Sequence, residues 1–309
     1  MRKTFINSLC SVAEIDERFC LIVGDLGFSV VEPFAERFPD RFLNVGVAEQ
    51  NMIGVAAGWS LAEGKTVFVY SIGNFPTLRC LEQIRNDVCY HNADVKVVSV
   101  GGGLTYGIAG FTHFGTEDVA IMRALPRMAV YCPADAEQTR LAFNELVEKR
   151  GPGYIRIGKN NEPELHVRLV QNQRAPVAQL FRWRIDECDV VILALGTIAG
   201  EGVEAAEILR TEGAKVGCFG LPRLKPLDLT RLGHLLADKR LVVTLEEHCA
   251  CGGLGTIISE ALVKASAKAL FLSLCLPDVL ETLGKQDYLR QQYGLNAASV
   301  ASNIRSILK

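Results

Sequence analysis

Short β-branched runs recur along this chain with amphipathic stretches between them, and that alternation restricts the fold more than any other feature of the sequence. "CLIVGD", "RFLNVGV", "KTVFVYS", "VKVVSVGG", "MAVYCPAD" and "GYIRIGK" read as strands, and the intervening segments 76–90 and 136–149 read as helices. Nearly unbroken apolar strands separated by helices predict a parallel sheet covered on both faces. From about residue 160 to 187 the pattern lapses into polar, proline-punctuated sequence, "NNEPELHVRLVQNQRAP". A second series follows: "DVVILALG", a helix over 200–212, "AKVGCFGL", "RLVVTLEE", a helix over 254–267, "ALFLSLC" and a closing helix over 298–308. The expectation is an α/β protein of two doubly wound domains, 1–165 and a smaller 187–309, joined by a linker over 166–186.

Composition narrows the partners. A net charge of -2, a pI near 6.3 and the lack of a dense Lys/Arg run give no bulk attraction to nucleic acid or to anionic lipid. The N-terminal stretch "MRKTFINSLCSVAEIDERF" has acids early and no apolar signal-peptide core. No apolar run approaches the roughly 18 residues that span a bilayer, so a cytoplasmic, non-membrane protein is expected. The ten cysteines fit a reduced compartment, scattered as they are through apolar segments where a thiol packs as a small hydrophobe. "HCAC", residues 248–251, has one residue between its cysteines and no second ligand cluster, so no metal site is expected in this chain.

Several motifs of nucleotide and hydrolase chemistry fail on spacing. "GWSLAEGKT" puts five residues rather than four between Gly58 and Gly64 and precedes a strand instead of a helix. "GGGLTYGIAG" and "GGLGT" do not fit the dinucleotide fingerprint. No nucleophile elbow is present.

"FLNVGVAEQNMIGVAAG", residues 42–58, sets one acid, Glu49, where a strand turns into an Ala- and Gly-rich helix. An acid in a helix's first turn complements the positive end of the dipole, which suffices as a structural role. Val45, Val47, Met52, Ile53 and Val55 suggest a second reading. Apolar surroundings favour the neutral form of a carboxyl, and such a group suits proton exchange with a ring nitrogen.

The stretch "FLNVGVAEQNMIGVAAGWSLAEGKTVFVYS" resembles the pyrimidine-binding domain of thiamine-diphosphate enzymes of the transketolase family. The likeness continues through "GFTHFGTEDVAIMRALPRMAVYCPADAEQT" and into "LEEHCACGGLG", which is similar to the family's C-terminal domain, so nearly the whole chain is covered. The family's diphosphate-binding part, with its G-D-G motif and a later Asn that hold a divalent metal, has no match here; "GDLG" lacks the second Gly at the right place and the Asn. The resemblance therefore implies the C-terminal subunit of a split transketolase, with thiamine diphosphate as cofactor and Mg2+ or Ca2+ held by an N-terminal partner subunit. It further implies transfer of a two-carbon ketol unit between sugars and an α2β2 heterotetramer.

By the same resemblance Glu49 bonds the aminopyrimidine and takes part in catalysis with His113, which would also face the substrate. Phe75 would stack on the pyrimidine, Leu26 and Val47 would supply the wedge that keeps the cofactor bent, and Asp25 would be a further cofactor-binding residue. Arg2, Ser29 and Arg156 match positions that bind the sugar phosphate, a sensible ligand set for an anion. Ala109 and Gly101 stand where the family carries donor-touching Asp and His, and Gly73 and Arg79 stand where it carries aromatics, which opens the donor's identity. Two rival readings are the β subunit of a 2-oxoacid dehydrogenase or a deoxyxylulose-phosphate-synthase-like enzyme, and a non-catalytic subunit that kept the fold.

Overall fold

The computed structural model describes residues 1–159, 162, 164–165 and 184–309, together with the backbone of 179–180. The linker expected over 166–186 lies outside the described residues except at 179–180 and from 184 onward. The first half opens with α1 (Arg2–Ile15), β1 (Phe19–Val23), α2 (Glu32–Arg37), β2 (Phe42–Asn44) and α3 (Glu49–Glu63). It continues through β3 (Thr66–Ile72), α4 (Leu81–Gln83), β4 (Val95–Val100), α5 (Asp118–Ala124), β5 (Ala129–Tyr131), α6 (Ala136–Glu148) and β6 (Gly153–Ile157). The second half holds β7 (Gln179–Leu180), β8 (Val190–Leu195), α7 (Ala199–Thr211), β9 (Val216–Gly220), β10 (Arg223–Lys225) and α8 (Leu229–Leu236). It closes with β11 (Leu241–Cys249), α9 (Leu254–Lys264), β12 (Leu270–Leu276), α10 (Gln286–Gln292) and α11 (Ala297–Leu308).

Two sheets form, a seven-stranded one in the order β10-β5-β6-β4-β3-β1-β2 and a five-stranded one in the order β12-β11-β8-β9-β7. All pairings are parallel except those of the edge strands β10 and β7. The reason is visible in the period-two alternation of the strands. In β1, Cys20 and Ile22 enter the core beneath α3 while Phe19, Leu21 and Val23 enter the core beneath α1 and α6. In β8, Val190, Ile192 and Ala194 meet α7 and α11 while Val191, Leu193 and Leu195 turn toward α8 and α9. Both faces of every central strand are buried, so the apolar runs of the sequence are continuous rather than alternating.

Three features depart from the sequence expectations. Helix α1 carries Phe5, Ile6, Leu9, Cys10 and Ala13 on one buried face, a helical period that the N-terminal reading left unassigned. The segment expected as one helix over 76–90 is instead a 3-10 turn (Leu78–Cys80), α4 and a π-helical stretch (Ile84–Tyr90). Its wider turns bring Ile84, Val88 and Cys89 to the core side together. Strand β10 comes from the second half of the chain yet pairs with β5 of the first sheet, Arg223 opposite Tyr131. A core continuous from α3 through α8 and α9 seals the same junction.

Two interior carboxylates brace this frame. Asp94 receives Thr66 Oγ1 at 2.6 Å and the Gly151 N–H at 3.0 Å and pairs with buried Lys96 at 2.9 Å. The Lys96 ammonium also donates to the carbonyls of Lys149 at 2.8 Å and Gly151 at 2.6 Å. Burial pushes that ammonium below its usual range, and Asp94 opposes the shift. Glu246, near the end of β11, accepts the N–H groups of Leu254 at 2.6 Å and Gly255 at 2.8 Å and so caps α9. Burial nonetheless pushes its carboxyl up to about 7.

Asp94→Ala strands the Lys96 charge, and we expect a loss of about 3–5 kcal/mol in denaturant unfolding, largely restored in Asp94→Ala/Lys96→Met. For Glu246 the folded value is raised above an unfolded value of about 4.3. Its contribution is therefore fully present below that pH and is lost as pH rises through about 7. Glu246→Gln should remove this dependence, so that parent minus variant stability falls by on the order of 3 kcal/mol between pH 4 and pH 8.

Candidate functional site

Parallel strands end together, and the turns that follow them gather the polar side chains here. Glu49, the first residue of α3, lies just beyond β2. Its carboxyl is buried, and Arg79 Nη1 donates to Oε2 at 2.9 Å from a side chain that is 45% exposed. Oε1 is equally buried and has no hydrogen-bond partner among the described residues. Gly24, at the end of β1, packs against the same side chain, where a Cβ would sit 3.5 Å from Glu49 Cγ. The expected apolar sheath is thus only part of the environment. Met52 and Ile53 are core, but Val47 is 73% exposed, and an arginine supplies counter-charge. A carboxylate removed from water needs such a partner, which sequence adjacency on one helix could not reveal.

From Glu49 a line of contacts runs from side chain to side chain. The Arg79 guanidinium lies 4.1 Å from the centre of the Phe75 ring, and the His113 ring meets Phe75 edge-on at 5.1 Å. His113 Nδ1 lies 3.0 Å from Thr112 Oγ1, and its ring is 6.2 Å from that of Tyr106. Lys159 Nζ sits 4.4 Å over the Tyr106 ring, and the Lys159 carbonyl accepts from Arg2 Nε at 2.6 Å. Burial pushes the Tyr106 phenol up to about 12. Glu49, Phe75 and His113 are therefore linked side chain to side chain through Arg79, and Arg2 joins the series through the Lys159 carbonyl. Two of the family departures acquire a reason there: a Cβ on Gly101 would overlap the Tyr106 ring, and one on Gly73 would sit 2.8 Å from the His113 carbonyl oxygen. Both glycines also have positive φ, where a side chain is strained.

The other expected residues have partners of their own. Arg156 points from within β6 into a buried pair with Asp118 at 3.1 Å and donates to the Gly115 carbonyl at 3.3 Å. Tyr154 hydrogen-bonds the same Asp118. Burial opposes the Arg156 charge, but Asp118 together with Cys132, Tyr154 and Glu247 outweighs it and holds the guanidinium above its usual range. Asp25 is exposed with a left-handed backbone (φ 58), its N–H bonded to Asn44 Oδ1 at 3.0 Å. Leu26 is half-buried beside it. Ser29 is exposed, its backbone N–H donating to Glu32 Oε1 at 2.7 Å. His248 of "HCAC" is buried, with Nδ1 2.8 Å from the Cys249 carbonyl oxygen and Nε2 facing the Ala120 N–H at 3.4 Å. Burial lowers its pKa. Among the described residues no group of three or more His, Cys, Asp and Glu is placed to hold a metal.

Lys159 and Tyr106 were missed in the sequence, and only Lys159 had a usable signal. In "GYIRIGK" it follows the strand, where ligands meet a parallel sheet, whereas Arg156 sits inside the strand. Tyr106 owes its place to an irregular loop whose path no periodicity encodes.

Similarity to known proteins extends over nearly the whole chain. The transketolase pyrimidine binding domain matches residues 1–164, and the transketolase C-terminal domain matches residues 182–300. The 6-deoxy-6-sulfo-D-fructose transketolase subunit of Clostridium sp. (strain MSTE9) is 34% identical over 302 residues, covering 97% of this chain and 92% of its own. An apulose-4-phosphate transketolase subunit of Phocaeicola vulgatus is 29% identical over 309 residues, covering 100% and 97%. A solved structure described as "Split gene transketolase, inactive beta4 tetramer" is similar with a TM-score of 0.84 and 33% identity, covering 99% of this chain and 96% of that one.

Proposed function

The chain belongs to the transketolase family, and from that premise we propose that it is the C-terminal subunit of a split, thiamine-diphosphate-dependent transketolase acting in the cytoplasm. In this reading 1–165 is the pyrimidine-binding domain and 187–309 the C-terminal domain, with β10 reaching back to the first sheet.

The single observation that carries the reading is the buried Oε1 of Glu49, which has no hydrogen-bond partner among the described residues. An acceptor left so costs about 1–3 kcal/mol, and a ring nitrogen bearing a proton would satisfy it. The residues present therefore fit the cofactor's aminopyrimidine. Thiamine diphosphate, when bound, supplies a nucleophilic carbon and an electron sink for breaking and remaking the bond beside a ketose carbonyl. Glu49 holds or releases the proton at the ring nitrogen. Phe75 offers ring surface, although one face already carries Arg79. His113 faces the substrate as hydroxyl ligand or proton relay. The diphosphate and its divalent ion are assigned to the partner subunit.

Arg2 and Lys159 are our assignment for the anionic end of the sugar, with Lys159 taking the role expected of Arg156. The guanidinium of Arg156 pairs with buried Asp118, while the Lys159 ammonium lies over Tyr106 and the Lys159 carbonyl accepts from Arg2. The names of the two relatives, a sulfo sugar and a sugar phosphate, are consistent with an anionic substrate. Those relatives, matched end to end, carry transketolase names, which favours this reading over a dehydrogenase or synthase subunit. Exposed apolar side chains on the same loops, Phe28, Val47, Ile108 and Phe111, support closure of the cleft by other chains. The similar structure described as an inactive beta4 tetramer supports the need for an N-terminal partner, and α2β2 is the assembly assigned to the pair.

The test is ketol transfer by the complex purified through a tag on this chain. Glu49→Gln should lower kcat by at least about 100-fold, near 2.7 kcal/mol; a loss within tenfold would remove Glu49 from the chemistry. Lys159→Ala should raise KM by about tenfold or more for a phosphorylated or sulfonated ketose and leave KM for the uncharged sugar unchanged. An equal rise for both would take the anion role away from Lys159.

A further inference from the structure

We propose that Arg79 is a positioning residue for Glu49: it engages one carboxylate oxygen so that the other, Oε1, is the oxygen presented to the cofactor. The inference rests on the functional reading above and adds to it a residue that the family pattern does not supply, since Arg79 stands where an aromatic was expected.

A glutamate side chain has three torsions, and a carboxyl at the edge of a cleft has no reason to keep one orientation unless something fixes it. Here both oxygens are buried, yet only one is bonded: Oε2 accepts from Arg79 Nη1 at 2.9 Å, and Oε1 accepts from nothing described. The carbon stem is confined by Gly24. The arginine is itself fixed at three points. Its guanidinium lies 4.1 Å from the centre of the Phe75 ring, its carbonyl accepts from Gln50 Nε2 at 3.0 Å, and its N–H faces the Asn74 carbonyl at 3.5 Å. Gln50 follows Glu49 in α3, so the contact locks the turn that carries Arg79 to the helix that carries Glu49. A planar fork held by stacking suits this task, because it fixes direction as well as charge. A flexible ammonium at the same place would supply charge with less direction. Asn74 is held in turn by the carbonyl of Phe114, next to His113, so the constellation is tied to the substrate side of the cleft.

The test uses the complex purified through a tag on this chain, with thiamine diphosphate as the probe, its dissociation constant measured by calorimetry and kcat measured at saturating cofactor. Arg79→Ala should weaken thiamine diphosphate binding at least tenfold and also lower kcat, and Arg79→Lys should recover part of each loss. In a Glu49→Gln background, Arg79→Ala should change the dissociation constant by less than twofold, because the residue acts through Glu49. This double variant also keeps the test valid if Arg79→Ala alone proves unstable. Unchanged or tighter binding by Arg79→Ala would overturn the proposal, as would a tenfold loss that persists in the Glu49→Gln background. If the unmutated complex fails to bind thiamine diphosphate, the functional reading fails and this proposal falls with it. If that complex binds and Arg79→Ala binds equally, this proposal alone fails.

Discussion

Covering a parallel sheet on both faces is the constraint from which the rest of this molecule follows. Central strands such as β1, β3 and β8 send apolar side chains to both sides and so leave little room for a polar group along their length. Polar chemistry is displaced to where strands stop, and because the strands are parallel they stop together. Glu49 after β2, Phe75 after β3, Tyr106 and His113 after β4 and Lys159 after β6 meet for that reason.

Charge inside such a frame has to be compensated, and the molecule does so repeatedly. Asp94 holds Lys96, Asp118 holds Arg156, and Glu247 receives Arg290 at 2.6 Å together with Gln286. In each of these the carboxylate is engaged from more than one side. Glu49 departs from that habit, with a cation on one oxygen and no partner on the other among the described residues. A native interior tolerates an orphaned acceptor where a ligand completes it, and this is why the geometry at Glu49 weighs more than its place in a motif.

The departures at Gly73, Gly101 and Arg79 acquire coherence from packing. The space that a side chain at 101 would need is filled by Tyr106, and the loop bearing His113 presses on residue 73. Arg79 trades an aromatic surface for a cation that stacks on Phe75 and bonds Glu49.

What the sequence determined by itself is the alternation of strand and helix, the two-sheet α/β architecture and the singular position of Glu49. These depend on period and local propensity, which are written in neighbouring residues. It also marked the glycines at 73 and 101 as unusual without saying what required them. Tertiary structure alone decided that Arg79, thirty residues on, is the partner of Glu49, that Arg156 pairs with Asp118 and that Lys159 lies over the Tyr106 ring. It also decided that residues 223–225 finish a sheet begun at the other end of the chain. Those outcomes turn on which side chains meet after distant strands align, and a side chain's partner in space leaves no periodic trace in the order of the residues.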